Sequence, residues 1–193
     1  MLAGLATGFF HTVCGIPAIL AGILTQLALY SVNLRIMGQA NQPISFRNYD
    51  LLVSSRNVKS LSLENPILIG VIFAAVIIAL LYWFFGTELG CSLRATGANA
   101  NMARAQGINT NVAKVLGLML SNGLVALSSA LLAQYQGFAD VNMGRGAIVI
   151  GLAAVIIGEV LFSKIFHNFA LLLLSVVIGS VLYYVVYNVV IWL

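Results

Sequence analysis

Charged side chains are scarce in this sequence. Its 193 residues include nine Lys and Arg and five Asp and Glu, so only 7% of the residues are charged. A soluble globular domain carries about 25%. A chain with so few charges cannot cover a surface that faces water, and with 61% hydrophobic residues it must fold in lipid. The net charge of +4 is spread over short loops, and no basic tract is long enough to indicate nucleic-acid binding.

Residues that commonly carry chemistry are also few. His11 and His167 lie in separate segments, and Cys14 and Cys91 have no metal-binding or redox spacing. None of the patterns HExxH, GxSxG, CxxC or GxxxxGK[ST] occurs, and no two of the five carboxylates are closely spaced. The sequence therefore predicts no catalytic residue, no metal site and no cofactor. Any use of ATP must come from a partner subunit.

Long apolar runs fill most of the chain. Membrane spans are predicted at residues 16–34, 66–85, 115–135, 147–162 and 169–193, after a shorter apolar segment at residues 2–13. At 1.5 Å per residue, segment 147–162 is about 24 Å long, which is less than the hydrocarbon core of about 30 Å. It is either a span around which the bilayer thins or part of a broken element that lines a cavity. The predicted fold is all-α, a polytopic membrane protein with about five transmembrane helices and a partial first helix.

A few polar side chains interrupt these spans. Asn122, Gln134 and Glu159 are candidates for lining a translocation path, because polar groups at membrane depth need a partner other than lipid. Asn122 and Gln134 can equally serve as hydrogen-bonding groups between helices. Glu159 can be an interfacial carboxylate paired with the lysine of the loop that follows. Gln26 and Asn33 are seven residues apart and therefore lie on one helix face.

Residues 86–114 form a long polar segment between two predicted spans, and this segment has helix signals of its own. Asn99 is a good N-cap, and residues 100–106 are mostly good helix formers. Gly107 suits the left-handed position that ends a helix. A helix of about two turns is unstable alone in water, so we expect another protein to hold it. The connection 38–65 is predicted to be surface loop, with a short interfacial helix at residues 49–53.

Three runs of sequence carry a family resemblance: AGILTQLALYSVNLRIMG, LRATGANANMARAQGINTNVAK and MGRGAIVIGLAAVIIGEVLF. Together they resemble the permease subunits of ATP-binding cassette (ABC) importers, in the branch that includes branched-chain amino acid and ribose permeases. Within that branch the chain is most similar to uncharacterised permeases of amino-acid (tryptophan-type) systems. The resemblance covers residues 15–179 approximately and rests on the combination of these runs.

The resemblance implies an orientation that charge does not decide, because five basic residues fall on one side of the predicted spans and four on the other. Residues 86–114 would be cytoplasmic, and their short helix would be the coupling helix that docks into a groove of the ATP-binding subunit. The coupling contact would comprise nine residues: Arg94, Thr96, Gly97, Asn99, Met102, Ala103, Arg104, Gly107 and Ile108. Both cysteines would then be cytoplasmic, so no disulfide is expected.

The resemblance also implies partners and a compartment. A single permease domain, residues 1–193, would work in the inner membrane as a homodimer with ATP-binding subunits and an extracytoplasmic solute-binding protein. Segments 38–65 and 137–145 would face that binding protein. Such permeases usually have further helices before this region and often one more after it, so we expect a truncated gene product, a fragment or a minimal variant. Two alternatives remain: an ATP-independent secondary transporter or channel, and a non-transporting membrane scaffold.

Overall fold

The structure, a computed structural model, describes residues 1–44, 66–144, 147–162 and 168–192. These residues form eight helices and two short strands, so the predicted all-α class is confirmed. The elements in chain order are α1 (Leu2–Thr12), α2 (Ala18–Met37), β1 (Asn41–Pro43), α3 (Pro66–Phe85), α4 (Glu88–Ala98), α5 (Ala100–Ala105), α6 (Thr110–Gln136), β2 (Phe138–Asp140), α7 (Ala147–Phe162) and α8 (Phe169–Trp192).

Four of these helices, α2, α3, α6 and α8, are long and apolar enough to cross a membrane. α7 has 16 residues and matches the short apolar segment predicted at residues 147–162. α1 has 11 residues and is the predicted partial helix. The interfacial helix predicted at residues 49–53 lies outside the described residues.

The chain divides into two compact units. The first comprises residues Met1–Val71 and Phe84–Val141. In it, α1 packs against both α2 and α6 and runs antiparallel to α6. A side chain at Gly4 would overlap the backbone of Leu118, and one at Gly8 would press on Val115. Two glycines spaced four apart on one helix face therefore allow close contact between the two helices.

A hydrogen bond between hydroxyl groups joins α1 to α2. The Thr7 Oγ1 donates to Thr25 Oγ1 at 2.9 Å, and Thr25 Oγ1 donates in turn to the carbonyl of Ala21 at 2.9 Å. Thr7, Thr25 and Ala21 are all buried. The Thr7 Oγ1 also lies 3.0 Å from the Ala3 carbonyl of its own helix. Lipid offers these hydroxyl groups no hydrogen-bond partner, so contacts within the helix pair satisfy them.

A two-stranded antiparallel ribbon, β1 with β2, joins the end of α2 to the end of α6. The strands place Asn41 opposite Asp140 and Pro43 opposite Phe138. Two further backbone bonds continue the pairing beyond the strands. The Ile44 N–H donates to the Gly137 carbonyl at 2.8 Å, and the Val141 N–H donates to the Ala40 carbonyl at 3.0 Å. Residues 38–65 were predicted to be surface loop, so the strand at Asn41–Pro43 is a correction. The ribbon brings two segments expected on one membrane side into direct contact.

The second unit comprises Ile72–Trp83 and Asn142–Leu193. Its main contact is between α7 and α8, which cross at four small residues. A side chain at Gly158 would overlap the backbone carbonyl of Ser175, and one at Gly179 would overlap that of Ala154. The spacing of four residues on each helix, Ala154 to Gly158 and Ser175 to Gly179, lets the two backbones touch.

Candidate functional site

The segment 86–114 is mostly helical rather than a loop with one short helix. α4 follows α3 after a tight turn in which the Thr87 Oγ1 donates to the Phe84 carbonyl at 2.6 Å and accepts from the Gly90 N–H at 3.3 Å. A side chain at Gly90 would overlap the Phe84 carbonyl, so the turn requires glycine there. α4 was not predicted from the sequence. Two features of the sequence could have indicated the start of this helix: Thr87 as N-cap and the Glu88 carboxylate in the first turn.

α5 is the short helix that the sequence predicted at residues 100–106. Asn99 has an extended backbone, and its Oδ1 accepts from the N–H groups of Asn101 and Met102 at 3.1 Å each. Gly107, with φ +83°, ends the helix and donates its N–H to the Arg104 carbonyl at 2.9 Å. The predicted cap at Asn99 and the left-handed Gly107 are therefore confirmed.

Contacts within the chain hold α5 in place. The Ala103 side chain is only 2% exposed and faces inward. The Arg104 Nε donates to Thr110 Oγ1 at 2.8 Å, and Thr110 is also 2% exposed. α5 packs on α4 and on the start of α6. The expectation that another protein must hold this helix is therefore wrong, because packing and one charged hydrogen bond already do so.

α6 begins at Thr110, five residues before the predicted start of its span. The Asn109 Oδ1 accepts from the N–H groups of Asn111 and Val112 at 3.2 and 3.3 Å. This second asparagine cap repeats the chemistry of Asn99 and was overlooked in the sequence. The first turn of α6 thus belongs to the same cluster as α4 and α5.

The nine residues predicted for the coupling contact divide into two groups. Thr96 and Ala103 are buried, so they face the chain itself and not an outside partner. The Thr96 Oγ1 donates to the Ser92 carbonyl at 2.8 Å, within α4. Ile108 is half-buried. The others are exposed and lie on α4, on α5 and at the caps of α5: Arg94, Gly97, Asn99, Met102, Arg104 and Gly107. We call these six residues the coupling surface.

The coupling surface combines one large apolar side chain with two guanidinium groups. Met102 is 61% exposed, although it is a residue type that usually packs in a core. Methionine and arginine are enriched at protein–protein interfaces relative to other surfaces. The chemistry of this surface therefore suits a cleft on a protein partner that offers apolar contacts and carboxylates.

The three candidates for the translocation path lie on two helices in separate units. Asn122 is half-buried on α6 and donates through Nδ2 to the Leu118 carbonyl at 2.8 Å, within its own helix. The Gln134 Oε1 is buried and accepts no hydrogen bond from the described part of the chain. Glu159 is exposed on α7, in the second unit. Lys164, its suggested partner, lies outside the described residues.

Comparison with known proteins identifies the family. Residues 1–193 match the family described as "Branched-chain amino acid transport system / permease component". The chain belongs to this permease family. The sequence resemblance to permeases of the branched-chain and amino-acid type is thereby confirmed. With its membrane-spanning helices, this member of the permease family is a multi-pass protein of the inner membrane.

Two curated relatives match most of this permease-family chain. It is 41% identical over 182 residues to the "Tyrosine transport system permease protein" of Clostridioides difficile (strain R20291), covering 94% of this chain and 58% of the relative. It is 36% identical over 172 residues to an uncharacterized protein of Rickettsia prowazekii (strain Madrid E), covering 88% of this chain and 59% of the relative. The chain thus spans about three fifths of the length of these relatives. No solved structure matches it.

Proposed function

We propose that this chain is the membrane-spanning permease part of an ATP-driven importer and provides the translocation path for an amino acid. The permease family and the relative named for tyrosine transport support an amino-acid solute. The observation that carries the proposal is the coupling surface. An apolar residue and two arginines are exposed on a preformed helical cluster, at the end of α6 opposite the ribbon.

The proposed partners occupy the two ends of α6. An ATP-binding subunit docks on the coupling surface in the cytoplasm, with α5 as the coupling helix. A solute-binding protein docks outside the membrane, on the side of the β1–β2 ribbon. A second copy of the permease completes the path, and residues 1–193 act as one permease domain within it.

The mechanism is alternating access driven by differential binding. The ATP-binding subunit can shift the permease between inward-open and outward-open states only if its affinity for the coupling surface differs between those two states of the permease. The hydrogen bond from Arg104 to Thr110 ties α5 to the first turn of α6. A displacement of α5 is therefore passed to a helix of 27 residues that crosses the membrane.

Charge reversal on the coupling surface tests the proposal. We expect Arg104→Glu in the full-length protein to lose co-purification of the ATP-binding subunit and the stimulation of ATP hydrolysis by the binding protein. Arg35→Glu is the matched control, because Arg35 is an exposed arginine in the last turn of α2, at the ribbon end. Arg35→Glu should keep the ATP-binding subunit bound. The proposal is wrong if Arg104→Glu co-purifies the subunit and supports ATP hydrolysis as the wild type does.

A further inference from the structure

α2 carries three distinct faces along its length. The first packs on α1 through Ala21, which has no exposed surface, and through the buried Thr25. The second is apolar and exposed, with leucines at seven-residue spacing: Leu20, Leu27 and Leu34. This apolar face suits lipid, because hydrocarbon tails are as apolar as leucine side chains.

The third face of α2 is polar from Gln26 to Asn33, whereas Ile19, seven residues earlier on the same face, is apolar and exposed. Gln26, Tyr30 and Asn33 follow the spacing i, i+4, i+7 and therefore form one stripe, which we call the amide stripe. A rotation of about 100° per residue places the stripe on a different side of the helix from both Thr25 and Leu27. Gln26 lies near the middle of this 20-residue helix, so it sits at membrane depth.

The amides of this stripe need partners that lipid cannot provide. The Gln26 and Asn33 side chains are exposed. The described residues offer neither of them a hydrogen bond. A primary amide has two donors and an acceptor oxygen, and leaving them unsatisfied in hydrocarbon is costly. The stripe must therefore face water, a solute or another protein surface.

The packing of the helices in this chain indicates that the amide stripe faces water and solute and not another helix. The described close contacts between apolar helices are built on small residues, such as Gly8 on α1 and Gly158 on α7. The bond between α1 and α2 joins two short hydroxyl side chains. In the amide stripe, Gln26 and Tyr30 have instead long side chains, which keep a neighbouring backbone at a distance. The stripe also carries no charge, so it can exchange hydrogen bonds with a passing solute without holding it firmly.

We propose that the amide stripe lines the aqueous path and hydrogen-bonds the ammonium and carboxylate groups of an amino acid in transit. The inference rests on the proposed permease function and names residues for the path. Gln26 is the contact nearest the middle of α2, and Asn33 follows about two turns closer to the ribbon.

Thiol accessibility tests the proposal in the full-length protein with its ATP-binding subunit. Cys14 and Cys91 are exposed and free, so both are first changed to serine. Single cysteines then replace Gln26 or Asn33, and Leu27 or Leu34 serve as matched controls, one residue further along and on the apolar face. The probe is a charged, membrane-impermeant methanethiosulfonate, applied to membrane vesicles that contain equal amounts of each variant.

We expect Gln26→Cys and Asn33→Cys to react at least about tenfold faster than Leu27→Cys and Leu34→Cys, because the reacting thiolate forms only in water. The proposal is overturned if both stripe positions react as slowly as their controls. It is equally overturned if Gln26→Cys forms a disulfide with a second copy instead of reacting.

These outcomes are separate from a failure of the proposed function. Slow labelling of the stripe, with normal co-purification of the ATP-binding subunit, rejects only the path assignment. Normal co-purification in Arg104→Glu rejects the coupling assignment and leaves the labelling pattern unchanged.

Discussion

The Arg104 Nε donates a hydrogen bond to the Thr110 Oγ1 at 2.8 Å, across the turn that contains Gly107. Arg104 is exposed and Thr110 is buried, so the bond joins the coupling surface to the first turn of α6. Arg104 therefore has two tasks in the proposed importer. It presents a charge to the partner, and it fixes the position of α5 relative to the membrane helix.

Substitution at Thr110 separates these tasks. We expect Thr110→Val to leave the Arg104 charge available to the ATP-binding subunit but to loosen α5, since a hydrogen bond to a charged group contributes about 1.5–3 kcal/mol. Co-purification of the subunit should persist, while ATP hydrolysis stimulated by the binding protein should fall several-fold. Thr110→Ser keeps the hydroxyl group and should behave like the wild type. Equal stimulation in Thr110→Val and Thr110→Ser would show that the bond transmits nothing.

The α7–α8 crossing gives a prediction about stability. A methyl group at position 158 would overlap the Ser175 backbone, whereas one at position 151 on the same helix would meet open space. We expect Gly158→Ala to destabilise the protein by about 1–3 kcal/mol through overpacking. Gly151→Ala should have no effect or stabilise the helix by up to about 1 kcal/mol. Thermal unfolding in detergent measures both. Equal Tm values for the two variants would contradict the described crossing.

The bond from Thr7 to Thr25 predicts a measurable coupling between α1 and α2. Thr7→Val and Thr25→Val each remove one hydroxyl group at nearly constant volume. A double-mutant cycle on the unfolding free energy should give a coupling of about 0.6 kcal/mol, which is typical of hydrogen bonds between membrane helices. Thr12→Val is a suitable control with Thr25→Val, because the Thr12 hydroxyl bonds only the Gly8 carbonyl of its own helix. Additive effects in the Thr7–Thr25 cycle would refute the contact.

The register of the β1–β2 ribbon predicts which engineered pair of cysteines forms a disulfide. With Cys14 and Cys91 changed to serine, Asn41→Cys combined with Asp140→Cys should cross-link under mild oxidation, because the two residues are directly opposed in the register. Opposed residues on antiparallel strands have the Cα separation that a disulfide requires. Gln42→Cys combined with Asp140→Cys is the control, since neighbouring strand residues point to opposite faces. Mass spectrometry after proteolysis reads out the bond. Cross-linking of the control pair alone would show a register shifted by one residue.

Local chemistry accounts for the parts of the fold that the sequence analysis predicted. α3 was predicted with its observed bounds, because 20 residues without a charge can form only a span. α5 was predicted from Asn99 and Gly107, whose roles depend on the backbone next to them. In each case the residues that decide the structure lie within the element or beside it.

The missed features depend on contacts between distant residues or on competing signals. α4 was missed because glycines such as Gly90 are unfavourable inside a helix, whereas Gly90 allows a close approach to the backbone of Phe84. The pairing of Asn41 with Asp140 joins segments about a hundred residues apart, and no local pattern encodes it. Thr96 and Ala103 were wrongly assigned to the coupling contact. Their side chains face inward, and this orientation depends on packing that the sequence alone does not show.

The preformed state of α5 has a thermodynamic consequence for any partner that binds it. Ordering the six residues of this helix from a flexible loop would cost about 1–2 kcal/mol of backbone entropy per residue. This cost is offset when the chain folds, by the Asn99 cap, the burial of Ala103 and the hydrogen bond to Thr110. A partner therefore binds a rigid surface, and the free energy of its contacts remains available to do mechanical work on the membrane helices.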